Sequence, residues 1–197
     1  MGDDTIKQAR PVRARLVVGP FALDQYEVSV ARFRRYINAG TAGVAGNSVS
    51  YPGGMLPWNG PATAPNDSRF DANCNWSDAP GMREQHPINC IDWFTAQAFC
   101  VWDGGRMASD SLTGRLPTEA EWEFAARSTD DRPYPWGNNP PEARGGWERP
   151  FDNPPATCVV DDTRFASGVS PFGVWQMSGN VAEWAADNYA PYNSDYW

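Results

Sequence analysis

Two runs of this 197-residue chain set carboxylates beside tryptophan: Glu119, Glu121 and Glu123 surround Trp122, and Glu183 precedes Trp184. Carboxylates in pairs could serve acid–base chemistry of the glycosidase kind. Their spacing argues for scaffolding instead. Glu121 stands three residues after Thr118, the spacing of a capping box in which hydroxyl and carboxylate exchange bonds with each other's amides. Glu119 and Glu123 then lie one helical turn apart on the same face. Glu183 follows Gly179-Asn180-Val181, a turn that directs backbone carbonyls toward one point and adds an anionic oxygen, the hard-oxygen mixture that Ca²⁺ prefers. A second reading has Glu183 capping loop amides beside Trp184.

The remaining reactive side chains are few. His86, the only histidine, precedes Pro87 at a strand start and is expected to be structural, since one imidazole cannot make a multi-histidine metal site. Cys74, Cys90, Cys100 and Cys158 contain no C-x-x-C spacing, which removes zinc-ribbon and thioredoxin-type readings. Four cysteines allow three full pairings. Cys74 with Cys90 is preferred because both flank one loop, against the alternative of four buried thiols. Disulfides, if formed, favour a secreted or periplasmic setting.

The elements that must position these residues are legible from caps and periodicity. A helix starts after Thr118, with Pro117 ahead of it, Glu119 and Glu121 at its positive end, and Trp122, Ala125 and Ala126 as one apolar stripe led by a buried Trp122; Arg127 closes it. Apolar and charged residues alternate over 12–18, a strand pattern, and 21–28 is expected to pair with it. Ser29 caps a helix carrying Val30, Phe33, Tyr36 and Ile37, with Gly40 available past its end. Asp92 caps a helix over 93–102, expected to stop at Gly104-Gly105. Between them, 41–85 turns rich in Gly, Pro, Asn and Ser and reads as a long irregular excursion pinned by Tyr51, Trp58, Phe70 and Trp76. Residues 138–171 read as loop.

Composition agrees. With 10 Trp, 18 Gly and 18 Pro, large aromatic anchors replace long regular elements. A net charge of −8 excludes a general nucleic-acid or anionic-membrane surface, which needs clustered Lys and Arg. No apolar run approaches the ~20 residues of a membrane helix.

The run from Arg115 to Glu123 (RLPTEAEWE), the Tyr134-Pro135-Trp136-Gly137 turn, the run from Gly179 to Trp184 (GNVAEW), and His86-Pro87 before a Trp-rich helix follow one another in the order of the sulfatase-modifying factor family, which includes the formylglycine-generating enzymes. The chain resembles that family over nearly its whole length. The resemblance implies an α+β fold of the C-type-lectin-like kind, with few short helices, twisted antiparallel strands and much ordered loop. It implies a single domain over 1–197, expected to be incomplete at the C-terminus and open at the N-terminus, where Met1-Gly2 resembles the interior of the family's opening region. It also implies a structural Ca²⁺ held by the Glu183 carboxylate, the Gly179 and Val181 carbonyls, and the side-chain oxygen of Gln176, where the family usually has Asn. A second calcium segment of the family falls in 138–162, with Asp161 and Asp162 as candidates.

Catalytic members of the family hold copper on a C-terminal cysteine pair and use oxygen to convert a sulfatase cysteine to formylglycine. This sequence stops at Trp197, before that region, and none of its four cysteines takes the matching position. No catalytic residue is therefore expected, and copper enters only if a C-terminal continuation supplies the pair. The partner implied is a sulfatase-like protein or peptide. The alternative is a non-catalytic, lectin-like module that binds a peptide, glycan or protein.

Overall fold

In a computed structural model the described residues are 17–40, 48–51, 54–57, 71–107, 114–130, 132–141 and 157–188. The first helix, α1 (Val30–Ala39), begins as its sequence dictates: the Ser29 side chain accepts from the Arg32 amide, and Gly40 ends it at φ 67°, a backbone region that favours glycine. Its apolar face carries Val30, Phe33 and Tyr36, all fully buried.

The hairpin β1 (Ser48–Tyr51) and β2 (Gly54–Pro57) pairs antiparallel, from Ser48 opposite Pro57 to Tyr51 opposite Gly54. It falls inside the stretch expected to be irregular throughout. Pro52-Gly53, a turn dipeptide in the sequence, was the signal for it. Of the expected anchors in that stretch, Trp76 is buried, while Trp58, Phe70 and the Tyr51 side chain lie outside the described residues.

Helix α2 (Trp93–Met107) starts where Asp92 accepts from the Thr95 amide at 2.7 Å. It does not stop at Gly104-Gly105 but runs through both. Gly104 serves close approach instead of termination: a Cβ on Gly114 would stand 1.9 Å from the Cys100 carbonyl oxygen and 2.7 Å from the Gly104 Cα. Only two facing glycines let the 114–118 segment lie this near the helix. That segment leads into α3 (Glu119–Arg127), whose capping box is complete, with Thr118 accepting from the Glu121 amide and Glu121 from the Thr118 amide.

The expected strand over 21–28 is not formed, and of 12–18 only residues 17 and 18 are described. The backbone of 21–28 bends at residues 25 and 26 and is divided between two neighbours: the Val28 carbonyl accepts from Ile88 at 2.7 Å, and the Gln25 carbonyl accepts from Trp175 at 2.9 Å. A single bridge joins Ser29 to Pro87. Proline has no N–H to continue a ladder there. The β1–β2 hairpin is thus the one named sheet among the described residues, and the wider set of twisted antiparallel strands is not seen in them.

Aromatic packing does the work that strands would do. Phe33 of α1 stacks on Phe99 of α2 with centroids 5.5 Å apart and meets Trp76 edge-on at 6.1 Å. Arg34 lies over Trp76 at 4.3 Å and forks onto Glu84. A disulfide joins Cys74 to Cys90, as preferred from the sequence, and Cys100 and Cys158 are not joined in one, so the alternative of four thiols is not the outcome. Asp71 lies close to the Cys74 and Cys90 sulfurs, but these are bonded to each other and make no metal site.

Candidate functional site

Two helix starts and one loop build the site. Residues 183–187 are stitched to the start of α2, where Trp93 Nε1 donates to the Ala185 carbonyl at 2.7 Å and Trp184 Nε1 donates to the Ile91 carbonyl at 3.1 Å. They are stitched equally to the start of α3: the Ala186 amide donates to the Pro117 carbonyl at 2.8 Å, and the Glu119 amide donates to Asp187 at 2.5 Å. Asp187 thus adds an anion to the positive end of α3. Beneath, Ala125 and Ala126 pack on Met177, with Phe21, Leu23, Trp122 and Val174 around them.

The turn held this way has an unusual backbone. Gln176 at φ 58°, Gly179 at 149° and Asn180 at 68° all adopt positive φ. A buried glutamine in that region is costly and is maintained only by its surroundings, a condition that gathers at functional sites. A cavity of about 380 Å³ opens over the turn, lined by Gln176, Gly179, Val181 and Glu183, together with Trp122 and Trp184. All four residues expected as calcium ligands from the sequence therefore line one cavity.

Trp122 is not the buried anchor expected. It is half-buried, and its indole N–H reaches the Glu183 carboxylate at 2.5 Å. The buried positions on α3 are Glu121, Ala125 and Ala126. The described hydrogen bond of Glu183 is accordingly to an indole and not to loop amides. Loop capping falls to Glu27, a residue the sequence did not single out: its carboxylate accepts from Asn180 Nδ2 at 2.5 Å and lies near enough to the Val181 amide to be steadied by it. Its other oxygen, Oε1, is buried and accepts no hydrogen bond among the described residues.

The two carboxylates are under electrostatic stress. Burial pushes Glu27 up to about 8, the charge of Glu183 adds to the rise, and the bonds from Asn180 and Val181 oppose it. Burial likewise raises Glu183 against the stabilising Trp122 bond. Glu183 is an exposed residue by accessible surface and yet crowded by protein. The crowding decides its chemistry, because the accessible area opens onto a concave cavity and not onto bulk water. The Glu183 carboxylate, the Gln176 side chain and the backbone of Gly179 and Val181 bring hard oxygens to one cavity, the donor chemistry that a divalent cation such as Ca²⁺ would take.

The other candidates resolve differently. Asp162 caps the short 3-10 helix Thr163–Gly168 and pairs with Arg164, so its carboxylate is already committed; Asp161 is exposed. Glu121 is forked by Arg115 and Glu123 pairs with Arg127, both scaffold roles. His86 Nδ1 lies 2.9 Å from the Thr157 hydroxyl, which also accepts from Asn75, and the His86 carbonyl receives the Val30 amide. For copper the cysteines do not fit. Two are joined in the disulfide, and burial pushes the Cys100 thiol up to about 12, far from the thiolate that soft Cu(I) requires.

Comparison with known proteins is consistent with this scaffold. A family model described as "Sulfatase-modifying factor enzyme 1-like domain" matches residues 1–195. The chain is 29% identical to the formylglycine-generating enzyme of Bos taurus, over 98% of this chain and 55% of that protein. It is 30% identical to the formylglycine-generating enzyme of Thermomonospora curvata, over 90% of this chain and 62% of the relative. To the inactive C-alpha-formylglycine-generating enzyme 2 of Mus musculus it is 28% identical, over 91% and 62% respectively. The chain thus spans about three fifths of the length of these relatives. With the match running from the first residue almost to the last, the chain belongs to the family of sulfatase-modifying factor enzyme 1-like domains.

Proposed function

We propose that this chain is the calcium-bearing scaffold portion of a formylglycine-generating-type protein. In this reading it has the C-type-lectin-like fold, recognises a sulfatase-like protein or peptide, and depends on cysteines other than its own four for oxidation of a substrate cysteine to formylglycine. The observation that carries the reading is the joining of Glu183, Gln176, Gly179 and Val181 around one cavity in a chain matched by the family model along its length. Glu183 would give its carboxylate, Gly179 and Val181 their carbonyls, and Gln176 its side-chain oxygen. A bound Ca²⁺ would supply the positive charge that two desolvated carboxylates lack. The chain's own part is to hold those oxygens, through the indole of Trp122 on Glu183 and the stitching of 183–187 to α2 and α3.

A second reading, a non-catalytic module that binds a peptide, glycan or protein, is favoured by the state of the cysteines and by the similarity to a Mus musculus relative named as inactive. Both readings predict no oxidation by this chain alone. Purified 1–197 protein, given copper, oxygen and a cysteine peptide, is expected to yield no formylglycine by mass spectrometry; product would overturn the proposal. The encoded continuation past Trp197 separates the readings: a cysteine pair there favours the oxidase, and its absence the module.

A further inference from the structure

We infer that the turn after α3 carries a saccharide-binding subsite, a polar cavity in which the Trp136 ring takes the apolar face of a neutral pyranose and Asp130, Arg132 and Asn138 take its hydroxyls. The inference deepens the second reading above, on whose glycan it rests, and does not involve the 176–183 turn. The cavity, of about 380 Å³, is lined by these four residues and Gly137 and shares no residue with the cavity over that turn. Its size lies within the range of roughly 300–1,000 Å³ usual for small-molecule sites.

The walls are fixed before a ligand arrives. Tyr134 and Gly137 exchange backbone hydrogen bonds at 3.2 and 2.9 Å, closing a tight turn around Pro135-Trp136. The Trp136 ring lies nearly parallel to that of Tyr134, at 3° with centroids 5.1 Å apart, and its N–H donates to the Asn139 carbonyl at 3.0 Å. With the indole ordered and its donor engaged, what it offers a ligand is ring surface. Arg132 is held on both sides: Nε and one terminal nitrogen fork onto the two oxygens of Asp130 at 2.5 Å each, and the other terminal nitrogen donates to the Pro135 carbonyl at 3.2 Å. Such preorganisation lowers the ordering cost of binding.

Charge selects the ligand. Asp130 and Arg132 neutralise each other, so the wall draws neither a free anion nor a free cation, yet each keeps unused bonding capacity. A guanidinium has about five donors, two more than are engaged here, and each carboxylate oxygen has a lone pair beyond the one Arg132 takes. Asn138 is exposed, and its amide, with no partner among the described residues, adds both a donor and an acceptor. A pyranose presents hydroxyls that donate and accept around a ring with an apolar C–H face, and those slightly positive C–H bonds suit the negative face of an indole. A nucleotide phosphate would instead call for an arginine not already neutralised by a carboxylate.

The test applies saturation-transfer NMR to the whole chain with methyl glycosides of glucose, galactose, mannose and N-acetylglucosamine, and with adenosine as a flat aromatic competitor. At least one glycoside is expected to bind, with its ring C–H protons the most strongly saturated. Trp136→Ala should weaken that glycoside by at least about tenfold and Asn138→Ala by about threefold. Phe172→Leu, a change at another exposed ring, should leave binding within about twofold. Asn138→Ala removes an exposed amide with no described partner, so it keeps the fold and decides where Trp136→Ala does not fold. Asp130→Asn leaves the charge of Arg132 unbalanced and should turn preference toward methyl glucuronide. The inference is overturned by no binding of any glycoside at about 20 mM, by undiminished binding in Asn138→Ala, by equal weakening in Phe172→Leu, by unchanged preference in Asp130→Asn, or by adenosine binding in place of the glycosides. Any of these removes the saccharide subsite alone, since the continuation past Trp197 decides the module reading separately.

Discussion

At the scale of single residues, the site is a balance between desolvated carboxylates and the few groups that steady them. Trp122→Phe keeps most of the packing but deletes the indole N–H on Glu183, leaving a crowded carboxylate without its described donor. A cost of about 1–3 kcal/mol is expected in a denaturant titration of the calcium-free protein, and a change below a few tenths would show that the bond contributes nothing. Glu183 was legible in the sequence because its turn residues adjoin it. Glu27 was not, because no local spacing connects it to a residue 153 positions later; only the folded chain brings the entry segment and the turn together. The misreading of Trp122 has a related cause. Helical periodicity assigns a residue to a face, but the cavity on that face is made by the distant 176–185 loop.

At the scale of elements, caps carried the most reliable information. Ser29, Asp92 and Thr118 each accept the amide expected of an N-cap. Thr118→Ala should cost about 0.5–2 kcal/mol. The partner Glu121 adds a pH signature. Burial works to raise its carboxyl, but Arg115 and the Thr118 amide outweigh it and hold Glu121 below its ordinary value of 4.5. A lowered folded-state value means that this stability is fully present above about pH 4.5 and is lost as pH falls through the lower folded value. Glu121→Gln should therefore be less stable than the wild type at pH 7, with the gap narrowing below pH 4; a gap constant across that range would remove the Arg115–Glu121 account. Glycines misled where caps did not. Gly104 reads as a stop in sequence, yet its lack of a side chain admits Gly114 against the helix. Gly114→Ala is expected to destabilise by about 1–3 kcal/mol or more through overpacking, and a neutral melting temperature would contradict the close approach. The strand expected over 21–28 is not formed because its carbonyls are shared between two segments distant in sequence, Gln25 with Trp175 and Val28 with Ile88, which no local pattern announces.

At the scale of the whole molecule, the order of short motifs identified the family while much of the described chain between them is irregular. That is physically coherent. Among the described residues, aromatic clusters and a disulfide hold the motif segments together where no long strand does. In the same architecture the 176–183 turn and the start of α3 meet around a cavity walled by carboxylates and tryptophan, where the proposed cation would sit. The most direct test is the melting temperature of chelator-treated protein as Ca²⁺ is restored, in the wild type and in Glu183→Gln. An ion that binds only the folded state stabilises it in proportion to the logarithm of its concentration above Kd, so the wild type should climb steadily with added Ca²⁺ while Glu183→Gln stays flat. A wild type indifferent to Ca²⁺, or a variant that keeps the full rise, would contradict the account.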